Sequence, residues 1–322
     1  MVDQVTGAET ISWRVPAEFA AARLDAFVRT VLPHISRREI DRALGAKMFS
    51  LNGQVARKGA RLAADDSVKF FGPADWLAEQ PRPAAQLDIA IVYEDAAFVA
   101  LDKPAGVATH GFSARDGVTV ANFIAARWPE LLNVGKSRWE PGLVHRLDIE
   151  TSGLLLVAKT NGAFDQLRGQ FRRRAILKTY WTLVWGDAES QGEIALPLAH
   201  DSRDRRRMRV IQPSQNAERQ RAWPALTRYR KLGAAQGLSL LEIEMATGVT
   251  HQIRVHLAAL GHGIVGDGLY GAEHAPAFGL QRHFLHAKGL ELSHPSESRA
   301  LKLDAPLATE LGEVLRRLGI KY

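Results

Sequence analysis

Five consecutive apolar residues, Leu154-Leu155-Leu156-Val157-Ala158, restrict this chain more than any other segment. The run is strand-length, does not alternate, and is bounded by Gly153 and Lys159. It therefore predicts a β-strand covered on both faces, not one with a wet side. Upstream, Pro141-Gly142 and Thr151-Ser152-Gly153 are turn chemistry, so the residues between them form a loop held by a rigid strand. One acidic side chain, Asp148, lies on that loop behind the basic pair His145-Arg146. An isolated loop aspartate is most often a cap, a turn former or a solvated charge. Its neighbours must decide whether it is more.

With 322 residues the chain exceeds a typical single core, and two domains are expected. Its 42 Lys and Arg against 35 Asp and Glu give +7, which suits a polyanionic partner, although mildly basic soluble proteins are common. The absence of cysteine excludes disulfides, thiolate catalysis and cysteine-based metal sites. MVDQVTGAETISW carries no basic stretch followed by an apolar core, and no apolar run approaches membrane-spanning length. A soluble, cytoplasmic protein is expected.

Near the N-terminus, Leu24, Phe27, Val28, Val31 and Leu32 trace the apolar stripe of a helix stopped by Pro33. Ser36 and Glu39 form a capping-box pair for a second helix that buries Ile40 and Leu44 and ends near Gly45. Phe49 to Leu51, the Asn52-Gly53 turn and Gln54-Val55 read as a hairpin, with a later strand from Ser67 to Phe71. Between Arg23 and Arg61 stand nine Lys or Arg and three Asp or Glu. Arg37, Arg38 and Arg42, placed near the start of the second helix, could converge on one phosphate track together with Lys58. Residues 73–86, with three prolines and little periodicity, read as a linker.

From Leu87 onward, strand-like runs at Ile89 to Tyr93, Phe98 to Leu101, Leu154 to Ala158, Tyr180 to Val184 and Leu238 to Met245 mix with helical patterns. Val120, Phe123, Ile124 and Trp128 make one helix face; Ile253, Leu257 and Leu260 make another ending at Gly261. The irregular order predicts an α+β fold with a mixed, largely antiparallel central sheet.

Ordered blocks then narrow the reading. HRLDIETSGLLLVAKT is preceded by Val92-Tyr93-Glu94-Asp95 and Leu101-Asp102-Lys103-Pro104. It is followed by Lys178-Thr179-Tyr180, Thr250-His251-Gln252-Ile253-Arg254, Gly266-Asp267, Tyr270-Gly271, Leu285-His286-Ala287 and His294-Pro295. The set resembles the RluA-type pseudouridine synthases, which isomerise uridine to pseudouridine in structured RNA. The likeness extends over nearly the whole chain and is greatest to the RluD-type members. The pattern RLD…SRREI…LNGQVARKG likewise resembles the RNA-binding domain first described in ribosomal protein S-four. These resemblances imply an RNA-binding domain at 15–72, a linker at 73–86 and a catalytic domain of pseudouridine synthase fold, with a cleft across its sheet, at 87–322.

Isomerisation requires the C1′–N1 bond to break, the uracil to turn, and C5 to join the same sugar carbon before losing its proton. A carboxylate can attack C1′, stabilise an oxocarbenium-like centre or abstract a sugar proton. The resemblance gives that role to Asp148. A carboxylate in a closed pocket is costly unless paired, and the resemblance makes Arg254 its partner and Tyr180 the ring that stacks on the base and helps remove the C5 proton. The target must be flipped out of its helix or loop, with Arg146 entering the vacated space or contacting phosphates. His145 is expected to brace the loop by hydrogen bonding. Arg172 to Arg174 and the five arginines between Arg203 and Arg209, Arg206 and Arg207 among them, would extend the RNA track.

Ile149 stands where a lysine or arginine commonly follows the motif aspartate, and Val249 where an arginine often precedes the threonine. Both remove charge near the cleft. Gly135-Lys136-Ser137 lacks the upstream glycine of a phosphate loop, and His251 and His256 are five apart, off one helix face. No cofactor and no metal are implied. The resemblance implies action on large-subunit ribosomal RNA; a transfer RNA substrate, or a non-catalytic RNA-binding or ribosome-assembly factor on the same fold, are the alternatives. A monomer is expected, the oligomeric state being open from sequence.

Overall fold

The computed structural model describes residues 11–33, 35–73, 80–111, 117–212, 221–271 and 278–322. Residues 74–79 of the expected linker lie outside them. Two compact units result, one drawn from 1–83 with 110–117 and the other from 84–109 with 118–322.

The smaller unit runs β1 (Ile11–Arg14), α1 (Leu24–Val31), α2 (Arg37–Gly45), β2 (Phe49–Leu51), β3 (Gln54–Val55) and β4 (Ser67–Phe70). Its strands form an antiparallel sheet ordered β1-β4-β2-β3. Leu24, Phe27 and Val28 of α1 and Ile40 and Leu44 of α2 are buried with Phe49, Val68 and Phe70. Ser36 caps α2 as expected: its Oγ accepts from the Glu39 N–H, and the Glu39 carboxylate accepts from the Ser36 N–H. Arg37 and Arg38 stand in the first turn of α2, and Arg42 follows Arg38 by four residues, so those two share one face of the helix a turn apart.

The larger unit carries β5 (Ala90–Glu94), β6 (Phe98–Lys103), α3 (Val120–Arg127), β7 (Ser152–Ala158), α4 (Asn161–Arg172), β8 (Leu177–Trp185) and β9 (Gln191–Ile194). It continues through β10 (Leu198–His200), β11 (Met208–Val210), β12 (Thr227–Ala235), β13 (Leu238–Met245), α5 (Gln252–Ala259), β14 (Leu285–Ser293), β15 (Ala300–Asp304) and α6 (Thr309–Leu318). Nine strands form one sheet in the order β5-β6-β7-β14-β8-β13-β12-β9, with β15 paired to β14; β10 and β11 pair separately. The fold is α+β and the sheet mixed. Among the described strands only β7 and β14 run parallel, and they pair over just His286↔Ser152 and Ala287↔Gly153. Gly153 sits there at φ +108°, and a Cβ on it would meet the Ala287 carbonyl oxygen at 2.3 Å.

All seven residues of β7 are buried, as a run without alternation requires. Truncating one of its leucines to alanine would cost about 2–5 kcal/mol. Leu260 corrects a sequence expectation. The helix α5 closes at Ala259, and Leu260 is exposed, not part of the buried face. Among the described residues no helix is long and apolar enough to cross a membrane.

Candidate active site

Residues 142–152 turn back along β7 and are pinned along their length. The Ala158 N–H donates to the Gly142 carbonyl at 2.8 Å, and His145 Nε2 accepts from the Leu156 N–H at 2.9 Å, so the histidine braces loop to strand. Burial lowers the His145 pKa to about 3, which keeps that nitrogen an acceptor at neutral pH. Thr109 Oγ1 donates to the Leu147 carbonyl at 2.9 Å and accepts from its N–H at 3.2 Å. The Ile149 carbonyl accepts from Gly106 N–H at 2.9 Å and from the buried Lys103 ammonium at 3.1 Å; Arg282 donates to the Glu150 carbonyl at 3.1 Å. Asp148 is thus carried by a backbone held on both sides, at Leu147 and at Ile149 and Glu150.

Its carboxylate meets α5. Arg254 is buried and donates from Nη1 to Asp148 Oδ2 at 3.1 Å. The same guanidinium forks onto Asp267, with Nε to Oδ2 at 2.7 Å and Nη2 to Oδ1 at 2.9 Å. Asp267 is fully buried and also accepts from the Leu269 and Tyr270 N–H groups. Burial alone would lower the Arg254 pKa, but the bonds and charge of Asp267, with Asp148 behind them, outweigh it and raise it. Asp267 takes the two shorter bonds. One cation shared between two carboxylates leaves Asp148 oriented without being neutralised.

His251 opens α5 in the left-handed region, φ 56°, an uncommon conformation for a non-glycine residue and one found at functional sites. Tyr270 Oη accepts from the Met208 N–H at 2.7 Å, leaving its proton for His251 Nδ1 at 2.9 Å. That arrangement turns the Nε2 of His251 toward Asp148 Oδ2, 3.7 Å away. Gln252 locks the helix start, accepting from Thr247 Oγ1 and the Val249 N–H and donating to the Leu226 carbonyl and Thr227 Oγ1.

Asp148, Tyr180, Arg254 and Arg146 line one cleft of about 770 Å³. Residues two apart on a strand share a face, so β8 offers both Lys178 and Tyr180 to it. Tyr180 is buried, and burial, reinforced by the Asp148 charge, pushes its phenol well above the ordinary value. A phenol held neutral stacks well but takes up a proton poorly. Burial lowers the Lys178 ammonium to about 8, and it donates to the Thr247 carbonyl. The cleft wall holds seven Lys or Arg against two Asp, a balance suited to a polyanion.

The remaining sequence-assigned cations are dispersed. Arg206 forks onto Asp204 and lines an adjoining cavity, and the Arg207 guanidinium lies 5.3 Å over the Tyr270 ring. Arg37, Arg38 and Arg42 are exposed in the smaller unit, where Lys58 pairs with Asp41 at 3.2 Å. Asp267, His251, Tyr270 and Lys178 were given no role from sequence, although each lies in a quoted block. Their distance in sequence from Asp148 hid that His251 approaches it, that Asp267 and Tyr270 act on it through Arg254 and His251, and that Lys178 lines the same cleft.

A cation-rich cleft with one oriented carboxylate thus stands on a nine-stranded mixed sheet, an arrangement suited to an enzyme acting on a polyanion. The family model described as RNA pseudouridylate synthase matches residues 97–259. An "Uncharacterized RNA pseudouridine synthase" of Chloroflexus aurantiacus is 37% identical over 94% of this chain and 92% of its own length. The "Ribosomal large subunit pseudouridine synthase D" of Nitrosomonas europaea is 32% identical over 96% and 88%. The solved structure "Human RNA Pseudouridylate Synthase Domain Containing 1" is 27% identical with a TM-score of 0.55, covering 74% of this chain and 97% of its own. The chain belongs to the RluA-type family of RNA pseudouridine synthases, and it is an isomerase.

Proposed function

We propose that this isomerase acts on uridines of large-subunit ribosomal RNA, with Asp148 working at the sugar, Arg254 orienting it and Tyr180 stacking on the detached base. The observation that carries the assignment is the division of Arg254 between Asp267 and Asp148. A purely structural Arg254–Asp267 pair would need no second acid at the cleft, yet the third Arg254 bond goes to Asp148.

In this reading the flipped uridine lays its base against Tyr180 and its C1′ against Asp148. The carboxylate, as nucleophile at C1′ or base at the adjacent sugar carbon, releases uracil through N1. The uracil turns, C5 bonds to C1′, the C5 proton leaves, and N1 ends protonated, so no atom is gained or lost overall. The neutral Tyr180 phenol supports stacking over proton abstraction. Arg146, exposed and without a hydrogen-bond or ion-pair partner among the described residues, is suited to fill the space the base leaves. The exposed Arg37, Arg38, Arg42 and Lys58 support an RNA-docking role for the smaller unit. The printed name of the Nitrosomonas relative supports the ribosomal substrate.

Pseudouridines mapped in cellular RNA after deleting the gene, then restoring wild type or Asp148→Asn, test this. A large-subunit position lost on deletion, regained with wild type and not with Asp148→Asn is expected. A position in transfer RNA would move the substrate, and no change anywhere would remove the role of Asp148.

A further inference from the structure

Asp148 and Arg254 stand in a wall between two cavities. The second, of about 740 Å³, shares only Arg146, Asp148, His251 and Arg254 with the Tyr180 cleft. We propose that it binds the unpaired nucleotide next to the target uridine and favours a base bearing an exocyclic amino group. The proposal rests on the reading that Asp148 acts at the target's sugar.

The geometry of a continuous strand carries the first half. If C1′ of the target meets Asp148 and its base lies on the Tyr180 side, the strand leaves that sugar beside the wall, where the second cavity opens. The cavity's size is that of sites which enclose small ligands. Ile149, 55% exposed, and half-buried Leu269 line it above buried Leu280, giving an apolar surface on which the flat face of a base can rest. A groove for sugar and phosphate alone would not present isoleucine beside the aspartate, at the position where the family commonly has a cation.

The polar groups carry the second half. Gln281 is exposed, and its amide has no hydrogen-bond partner among the described residues. Glu150, about half exposed, places a carboxylate oxygen 3.5 Å from His283 Nδ1 in the same cavity. An ionised carboxylate only accepts. It binds the amino group of adenine, cytosine or guanine and repels the carbonyl oxygens of uracil, while the Gln281 amide can both donate and accept. Arg146 at the wall and Arg206 at the rim are placed for the flanking phosphates, although Arg206 is tied to Asp204 at 2.7 Å.

A hairpin library with a randomised loop around uridine, treated with the full-length protein and read by pseudouridine-selective sequencing, tests this. Wild type is expected to enrich adenine, cytosine or guanine over uracil at one flank of the modified uridine. Placing uracil or an abasic residue there in a selected hairpin should lower kcat/KM about tenfold. Gln281→Ala and Glu150→Gln, both at exposed positions, should bring the four bases within about twofold of one another. Pseudouridine formed with no flank preference, or a preference unchanged in both variants, overturns the proposal. Absence of pseudouridine in the whole library would instead strike the assignment of activity on such RNA, which the cellular mapping tests separately.

Discussion

Asp267 touches no substrate in the proposed reaction, yet Asp267→Asn should cripple turnover. The substitution keeps the side chain's shape and one carbonyl acceptor but removes the charge that holds two of the three Arg254 bonds, at 2.7 and 2.9 Å. Breaking one side of a buried charge pair costs about 2–5 kcal/mol; the retained acceptor argues for about 2 kcal/mol, or ~4–8 °C in Tm for a unit of this size. The catalytic loss is larger than the folding loss implies. Freed from Asp267, the guanidinium closes on Asp148 with both prongs and occupies the oxygen that must reach the sugar. An expected fall of about a hundredfold in kcat corresponds to ~2.7 kcal/mol. KM for RNA should stay within a few fold, since affinity is spread over many cations. Tritium release from C5-tritiated uridine in RNA, measured well below the variant's Tm, gives both constants. A lowered Tm with wild-type kcat would refute the reasoning, leaving Asp267 as a structural anchor only.

Arg254→Ala should abolish turnover while RNA affinity, measured by filter binding, stays within a few fold; full activity would remove it from the mechanism. Tyr180→Phe should retain most of kcat and Tyr180→Ala lose most of it, because the ring and not the hydroxyl is used; equal losses would restore a proton role to the phenol. Asp95 accepts from the Ala97 and Phe98 N–H groups, Tyr93 Oη and His294 Nε2, which together overcome burial and hold its carboxyl well below the usual range. Its contribution is therefore present above the unfolded value of about 4 and lost as pH falls through the folded one. Urea melts of Asp95→Asn should differ from wild type at neutral pH and converge with it in acid. Deleting residues 1–83 should raise KM for RNA and flatten its salt dependence more than it lowers kcat; an unchanged KM would sink the docking role.

Local chemistry made much of this legible. The buried run in β7, the capping box at Ser36 and the Asn52-Gly53 turn each depend on a few adjacent residues, and each was read at nearly its observed place. Elements such as β12, with a polar, arginine-bearing pattern, and α4, with glycines inside it, lack a clean period and were not foreseen. Asp148 stood out because its signature is contiguous. Asp267 and His251 did not, because their importance lies in distances to Asp148 and Arg254 that only the folded sheet creates. Leu260 was misplaced because α5 ends at Ala259, two residues before the expected point, a boundary that pattern alone fixes poorly.

The two-residue parallel seam between β7 and β14 divides the sheet into halves, and the reactive groups are divided with it. Asp148 precedes β7, while Tyr180 on β8 and Arg254 after β13 belong to the other side. A chain that has folded only one half carries either an acid with no guanidinium or a base platform with no acid. If Asp148 and Arg254 act as proposed, the site would be complete only once this seam has formed, and Gly153 is where the two backbones approach too closely for a side chain.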